Sequence, residues 1–370
     1  MIVSGGVEQN RPKRGGQSGR RWSKRRLETA MKSKLGYMRE LSSCELCEHR
    51  CRVNRVAGEQ GVCRMTLPVV SSCTLHPAPP RSYTVFTAGC NFKCLNCQNW
   101  SISQYPDNRM PVDGYVEPSV LAREAEDALA SNAARLMRAD RIFFSGGEPT
   151  IHLPYIEAVV AEARELEPSV KVNFDTNGFM TESSLERILD FTNSITFDIK
   201  AFYDDTHRAL TGAPVDPVLR NAETIARTAP EKLWEYRITV IPGVNEEDVR
   251  PICRFLSRLS RDVPVCFLAF RPNFVLEKHP GASAELMVRC ASLASKAGLR
   301  NVTWSGVTDI PGAFRGTVDR DVVDRYGRTG SRTAASYAFD LGCETHPRDC
   351  GSCPSSDDCT IKRYIPSRSC

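Results

Sequence analysis

Between residues 81 and about 310, short apolar runs alternate with longer stretches whose apolar positions recur every three or four residues. The short runs, at 83–88, 141–144, 170–174, 194–197, 234–241, 265–268 and 302–304, are rich in β-branched and aromatic residues and predict strands. The amphipathic stretches, at 118–137, 152–166, 182–190, 217–227, 246–259 and 283–297, predict helices. Capping signals support two of them: Asn245 ahead of Glu246, and Thr181 ahead of Leu185. Repeated βα units imply a parallel sheet with helices outside it. Six or so units fit an α/β fold built as a partial (β/α)6 barrel of parallel strands, flanked by N- and C-terminal cysteine-rich segments. Polar motifs fall after the strands, at their C-terminal ends, where parallel barrels place their chemistry.

The flanks read differently. Residues 1–40 form a basic, disordered tail in which 23–38 has the pattern of a short helix, and 41–80 form a cysteine-rich, metal-binding segment closed by Pro77-Ala78-Pro79-Pro80. The core domain spans 81–310. Beyond Pro311 the periodicity fades into a polar, cysteine-rich extension, 311–370.

Charge and composition narrow the class. The formal charge of +5 is uneven: eleven basic and three acidic residues before residue 41 put +8 on the tail and leave −3 on the body. Such a tail suits nucleic acid or an acidic partner, but a solvated extension is the preferred reading, and a nucleic-acid role is disfavoured. No apolar run reaches bilayer-spanning length, and the start lacks the pattern of a secretion signal, so a soluble cytoplasmic protein without a membrane partner is expected. Sixteen cysteines in close clusters favour metals over disulfides in that reducing compartment. Cys253, Cys266 and Cys290 stand alone among apolar neighbours and read as buried hydrophobes.

The most informative cluster is Cys90-x3-Cys94-x2-Cys97. A closed structural metal site wants four protein ligands, so three thiolates on one short loop suit three irons of a cubic cluster whose fourth iron stays open. Gly89 allows a sharp turn before the first cysteine. Four further motifs follow in order: Ser145-Gly-Gly-Glu-Pro-Thr150, Asp175-Thr-Asn-Gly-Phe179, Phe197-Asp-Ile-Lys200 and Arg237-Ile-Thr-Val-Ile-Pro-Gly243. Gly146 and Gly147 permit close backbone approach to a ligand, and Glu148 suits an ammonium group.

This set resembles the radical S-adenosylmethionine (SAM) enzymes, in the branch of pyruvate formate-lyase activating enzyme. The resemblance implies a [4Fe-4S] cluster on Cys90, Cys94 and Cys97, and SAM against Gly146, Gly147 and Glu148. It gives Lys200 the methionine carboxylate, and Asp175, Thr176 and Asp198 a monovalent cation. Asn96, Arg237 and Arg271 are further candidate cofactor contacts. Two of these depart from the family: Asn96 stands where an aromatic packs near adenine, and Arg271 where a histidine ends the sixth strand. The implied reaction is reductive cleavage of SAM to methionine and a 5′-deoxyadenosyl radical, driven by a flavodoxin- or ferredoxin-type donor. The radical would take hydrogen from a protein or peptide, as in glycyl-radical activases; a small-molecule substrate is the alternative.

Two outer sets remain. Cys44, Cys47, Cys51 and Cys63 can close a tetrahedral zinc site or hold an auxiliary iron–sulfur cluster, with Cys73 and His76 as spare ligands. Cys343, Cys350, Cys353 and Cys359, with Cys370 at the end, form a third candidate metal set. A zinc-binding, nucleic-acid-associated protein is the rival class, but it explains neither the three-cysteine loop nor the motifs after it.

Overall fold

A computed structural model describes residues 38–314, 325–343 and 345–367. The basic tail up to residue 37, with all but the last residue of the helix expected at 23–38, and Cys370 lie outside the described residues.

Eight strands form one sheet in chain order. β1 (Val70–His76) runs antiparallel to β2 (Ser82–Thr87). From β2 onward every pairing is parallel, through β3 (Arg141–Gly146), β4 (Lys171–Thr176), β5 (Ser194–Asp198), β6 (Leu233–Val240), β7 (Val265–Ala269) and β8 (Val302–Ser305). The sheet is open, with β1 and β8 as its edges. This is the expected partial barrel of six crossovers, plus an edge strand that the sequence pattern hid. β1 was obscured because Ser71, Ser72 and Thr74 interrupt its apolar residues. β8 is the weakest strand, and Thr303 to Ser305 are exposed along it.

The central strands are buried on both faces, as a parallel sheet covered by helices requires. Phe144, Val172, Phe174, Ile195, Phe197, Ile238, Val240 and Phe267 are all fully buried. The covering helices are α1 (Pro118–Ala130), α2 (Asn132–Met137), α3 (Leu153–Leu166), α4 (Glu182–Phe191), α5 (Asp204–Thr211), α6 (Asp216–Thr228), α7 (Val249–Leu259), α8 (Ala284–Lys296) and α9 (Thr329–Asp340). The single helix expected at 118–137 is two: Ser131 turns to extended backbone, and its hydroxyl accepts the Ala134 N–H at 3.1 Å, capping a new helix. α5 and α9 were not foreseen. α5 is short, and α9 draws its buried face from small residues, Ala334, Ala335 and Ala338, with Tyr337.

Both cysteine-rich flanks share the main core. Leu41, Leu46 and Cys47 from one side, and Tyr326, Ala334 and Ile361 from the other, belong to the same apolar cluster as Phe144 and Phe174. No helix among the described residues is long and apolar enough to cross a membrane.

Phe144 is the most direct probe of this core. Phe144→Ala should cost about 3–5 kcal/mol, read as a lowered denaturation midpoint, whereas truncating exposed Leu136 should change stability by less than about 0.5 kcal/mol.

Candidate functional site

Strand β2 delivers the chain into the three-cysteine loop, and the end of β3 passes directly beneath it. Gly147 N–H donates to the Thr87 carbonyl at 2.9 Å, and Glu148 N–H to that of Gly89 at 3.0 Å. There is no room for a side chain at this crossing. A Cβ on Gly147 would stand 1.9 Å from the Gly89 oxygen, and one on Gly146, whose φ is +121°, 2.2 Å from that of Thr87. The two glycines therefore serve the backbone of the cluster loop itself. Asn99 secures the loop from the other side, donating from Nδ2 to the Gly146 carbonyl at 2.8 Å.

Above this crossing lies an open cavity of about 160 Å³. It gathers the C-terminal ends of six adjacent strands: the Cys90–Cys97 loop after β2, Gly146 to Glu148, Asp175 to Asn177, Asp198 with Lys200, Arg237 with Thr239, and Leu268 with Phe270. Cys90, Cys94 and Cys97 all line it. Burial pushes all three thiols up, Cys94 to about 12, so without a metal the neutral thiols are favoured. The loop also holds unmatched polar groups. Lys93 is 1% exposed and donates to the Cys90 carbonyl at 2.8 Å, with no carboxylate among the described residues pairing it. Asn91 Nδ2 and Asn96 Oδ1 are buried without a hydrogen-bond partner among the described residues, although Asn177 donates to Asn91 Oδ1 at 2.7 Å. An anionic iron–sulfur cluster fits a buried loop that offers three thiols and an unneutralised cation.

The charged residues at the strand ends are paired. Asp198 holds Lys200 at 2.6 Å, and Arg237 lies 3.6 Å from Asp175, which also accepts a hydrogen bond from Ser145 at 2.8 Å. Burial would lower the Lys200 pKa, but the adjacent Asp198 carboxylate outweighs it and raises it. Burial raises that of Asp175 despite Arg237. The carboxylates expected to hold a monovalent cation thus already face protein cations. Glu148 is buried and ties two strand ends together: its carboxylate accepts from Thr150 and Thr176 side chains and from the Thr150 and Asn177 N–H groups. Burial still raises it to about 7.

Arg271 is the misplaced candidate. It is exposed and does not line the cavity; Phe270, one residue earlier, does. Thr239 and Leu268 were also missed, for they sit within strands without a polar motif to mark them.

The outer sets differ from each other. Cys44, Cys47, Cys51 and Cys63 line one small cavity. Cys73 and His76 lie on β1 and do not line it, so they are not spare ligands there. In the C-terminal set, Cys343, Cys350 and Cys359 act electrostatically on buried Arg348, and Cys353 meets the Thr345 hydroxyl at 3.1 Å. Arg348 reaches the cluster loop, donating to the Lys93 carbonyl at 2.9 Å. Among the described residues every cysteine is free, and no three His, Cys, Asp or Glu side chains are gathered as ligands of a single ion.

Residues 84–256 match the family model of the Radical SAM superfamily, a similarity that runs from β2 into α7. An uncharacterised protein of Methanocaldococcus jannaschii is 26% identical over 275 residues, 72% of this chain and 76% of its own. The pyruvate formate-lyase-activating enzyme of Staphylococcus aureus is 29% identical over 193 residues, 49% of this chain and 71% of that enzyme. A solved domain of the pyruvate-formate lyase-activating enzyme from Bacteroides vulgatus aligns with 45% of this chain and all of its own, at 18% identity and a TM-score of 0.37.

Two substitutions probe the site. Gly147→Ala should lower stability by roughly 1–3 kcal/mol and reduce the iron retained after reconstitution, since the loop must shift. Glu148 binds a proton in the folded protein up to about pH 7, above its value of 4.5 in the unfolded chain. Stability should therefore fall as pH rises through that window, by about 3 kcal/mol. Denaturation midpoints of Glu148→Gln should lose that slope.

Proposed function

We propose that the protein is a radical SAM enzyme that uses SAM as the source of a radical for hydrogen abstraction from a protein or peptide. The observation that carries this reading is the placement of Cys90, Cys94 and Cys97 at one cavity shared by six parallel strand ends. When bound, the cluster and SAM supply the hard chemistry, reductive cleavage to methionine and a 5′-deoxyadenosyl radical.

The chain's own residues bind, orient and exclude water. Cys90, Cys94 and Cys97 are the cluster ligands, leaving one iron for the SAM amino and carboxyl groups. Lys93, buried beneath Cys90, offsets the negative charge of a thiolate-bound cluster. Lys200, fixed by Asp198, presents a cation to the SAM carboxylate, and the backbone of Gly146 to Glu148 faces its amino group. Phe270 and Leu268 give the far wall an apolar surface. With Asn96 in place of an aromatic, the adenine is held by hydrogen bonding more than by stacking. No general acid or base is required. The electron comes from a flavodoxin- or ferredoxin-class donor in a reducing cytoplasm.

The protein or peptide substrate is supported by the similarity to the Staphylococcus aureus activating enzyme over 71% of that protein. The auxiliary monovalent cation is set aside in this reading, because Arg237 and Lys200 already neutralise its carboxylates.

Anaerobically reconstituted, reduced protein given SAM should release 5′-deoxyadenosine and methionine, and Cys97→Ala should lower the rate at least 100-fold, to background. Equal release by the two proteins, or none from wild type with a full cluster and any of a panel of peptide substrates, overturns the reading.

A further inference from the structure

The N-terminal cysteines occupy a built site of their own. Backbone hydrogen bonds fold the segment so that its thiols converge: Cys44 N–H donates to the Val53 carbonyl at 3.1 Å, Arg52 N–H to that of Cys44 at 2.9 Å, and Arg50 N–H to that of Cys47 at 2.9 Å. Arg50, Arg52 and Arg64 adopt positive φ, at 42°, 53° and 64°. Left-handed backbone at a residue other than glycine costs on the order of 1 kcal/mol or more each, and persists where the surroundings impose it. Gly61 completes the packing, since a Cβ there would lie 2.7 Å from Cys51 Sγ.

The four cysteines line one small cavity, with about 10 Å³ of free space, whose other walls are mainly apolar, with Leu46, Val62 and Ile151 among them. Into it comes the side chain of Arg55, 1% exposed. Its Nε donates to the Thr66 carbonyl at 2.9 Å, and its Nη1 donates to that of Ile151 at 2.6 Å and lies 3.8 Å from Cys44 Sγ. Among the described residues its Nη2 has no partner, and no carboxylate pairs with the guanidinium. A buried guanidinium without a counter-charge costs several kcal/mol, and four neutral thiols do not supply one. A thiolate-ligated metal centre carries net negative charge and does.

We propose that Cys44, Cys47, Cys51 and Cys63 hold a second iron–sulfur cluster, with Arg55 as its buried counter-charge. A cluster is favoured over zinc by the likeness to the core loop: no three of these side chains are gathered as ligands of one ion, which is equally true of Cys90, Cys94 and Cys97. A cubane places each thiolate on a different iron, so its sulfurs lie further apart than four around a single zinc.

This site is docked on the cluster loop of the core. His49, between Cys47 and Cys51, sets its Nε2 2.9 Å from the carbonyl oxygen of Asn91, the residue after Cys90. The His49 ring packs on Phe179 at 4.9 Å, and Phe179 on Phe92 of the same loop at 5.2 Å. Glu48 N–H donates to the Phe179 carbonyl at 3.1 Å. The second cluster would therefore sit one residue pair away from the first ligand of the radical site.

The test counts iron and sulfide in the full-length protein after anaerobic reconstitution, in a background that lacks the core cluster. A Cys90→Ala, Cys94→Ala, Cys97→Ala variant should remain brown, and adding Cys44→Ala with Cys63→Ala should remove about four irons and four sulfides per chain. Zinc alone at the site, no iron in the triple variant, or iron unchanged by the two added substitutions overturns the proposal. Arg55→Met keeps every ligand and guards against a folding artefact. It should move the midpoint potential of the remaining cluster to a more negative value, and Arg55→Lys should restore it; an unchanged potential removes Arg55 as the counter-charge and with it the proposal. The count is made where SAM cleavage is already abolished, so it stands or falls apart from the proposed activity.

Discussion

Everything at the candidate site depends on one close backbone crossing. The end of β3 runs beneath the cluster loop, and the hydrogen bonds from Gly147 and Glu148 to Thr87 and Gly89 form only because nothing larger than hydrogen projects between the two chains. That contact sets the height of Cys90 relative to the sheet. It also places Glu148 where its carboxylate can reach Thr176 and Asn177 at the end of β4. Three consecutive strand ends are thereby locked into one wall, and the later strands add to it in register. A loop with three cysteines on a looser support would lack a defined cavity beside it.

Charge is distributed by the same economy. Where the cavity has carboxylates, at Asp175 and Asp198, protein cations meet them at once. Where it has thiols, the nearby cations are left without a carboxylate: Lys93 under Cys90 and Arg55 beside Cys44 are both almost fully buried. Such groups are costly in an apolar interior unless an anion is present. The pattern separates the polar floor of the cavity, balanced by the protein itself, from the cysteine-lined places, where the buried cations meet no carboxylate among the described residues. Flanking segments that look peripheral along the chain share this arrangement, since the N-terminal one reaches the loop through His49 and the C-terminal one through Arg348.

Much of this was legible along the chain. Alternating apolar runs announced the parallel sheet because strands covered on both faces leave long, uninterrupted hydrophobic signatures, as in Phe143-Phe144 or Ile195 to Phe197. The three-cysteine loop and the motifs at 145–150, 175–179 and 197–200 are local in sequence, so their order along the chain carries the resemblance as a set. β1 and α9 were less visible: one is an edge strand broken by serines, the other a helix whose buried face is mostly alanine, and neither carries enough apolar contrast.

By itself, the sequence determined the α/β class, the order of the strands and the three-cysteine loop, carboxylates and lysine that follow the strands, because each rests on residues near one another along the chain. Only the tertiary structure decided which residues share the cavity. It put Phe270 there instead of Arg271, turned Asp175 toward Arg237 from a strand two places away, and aimed Arg55 at a space walled by four cysteines. The physical reason is that facing, pairing and burial are set by contacts between distant segments, and a one-residue shift along a strand exchanges inside for outside without altering the pattern that predicts the strand.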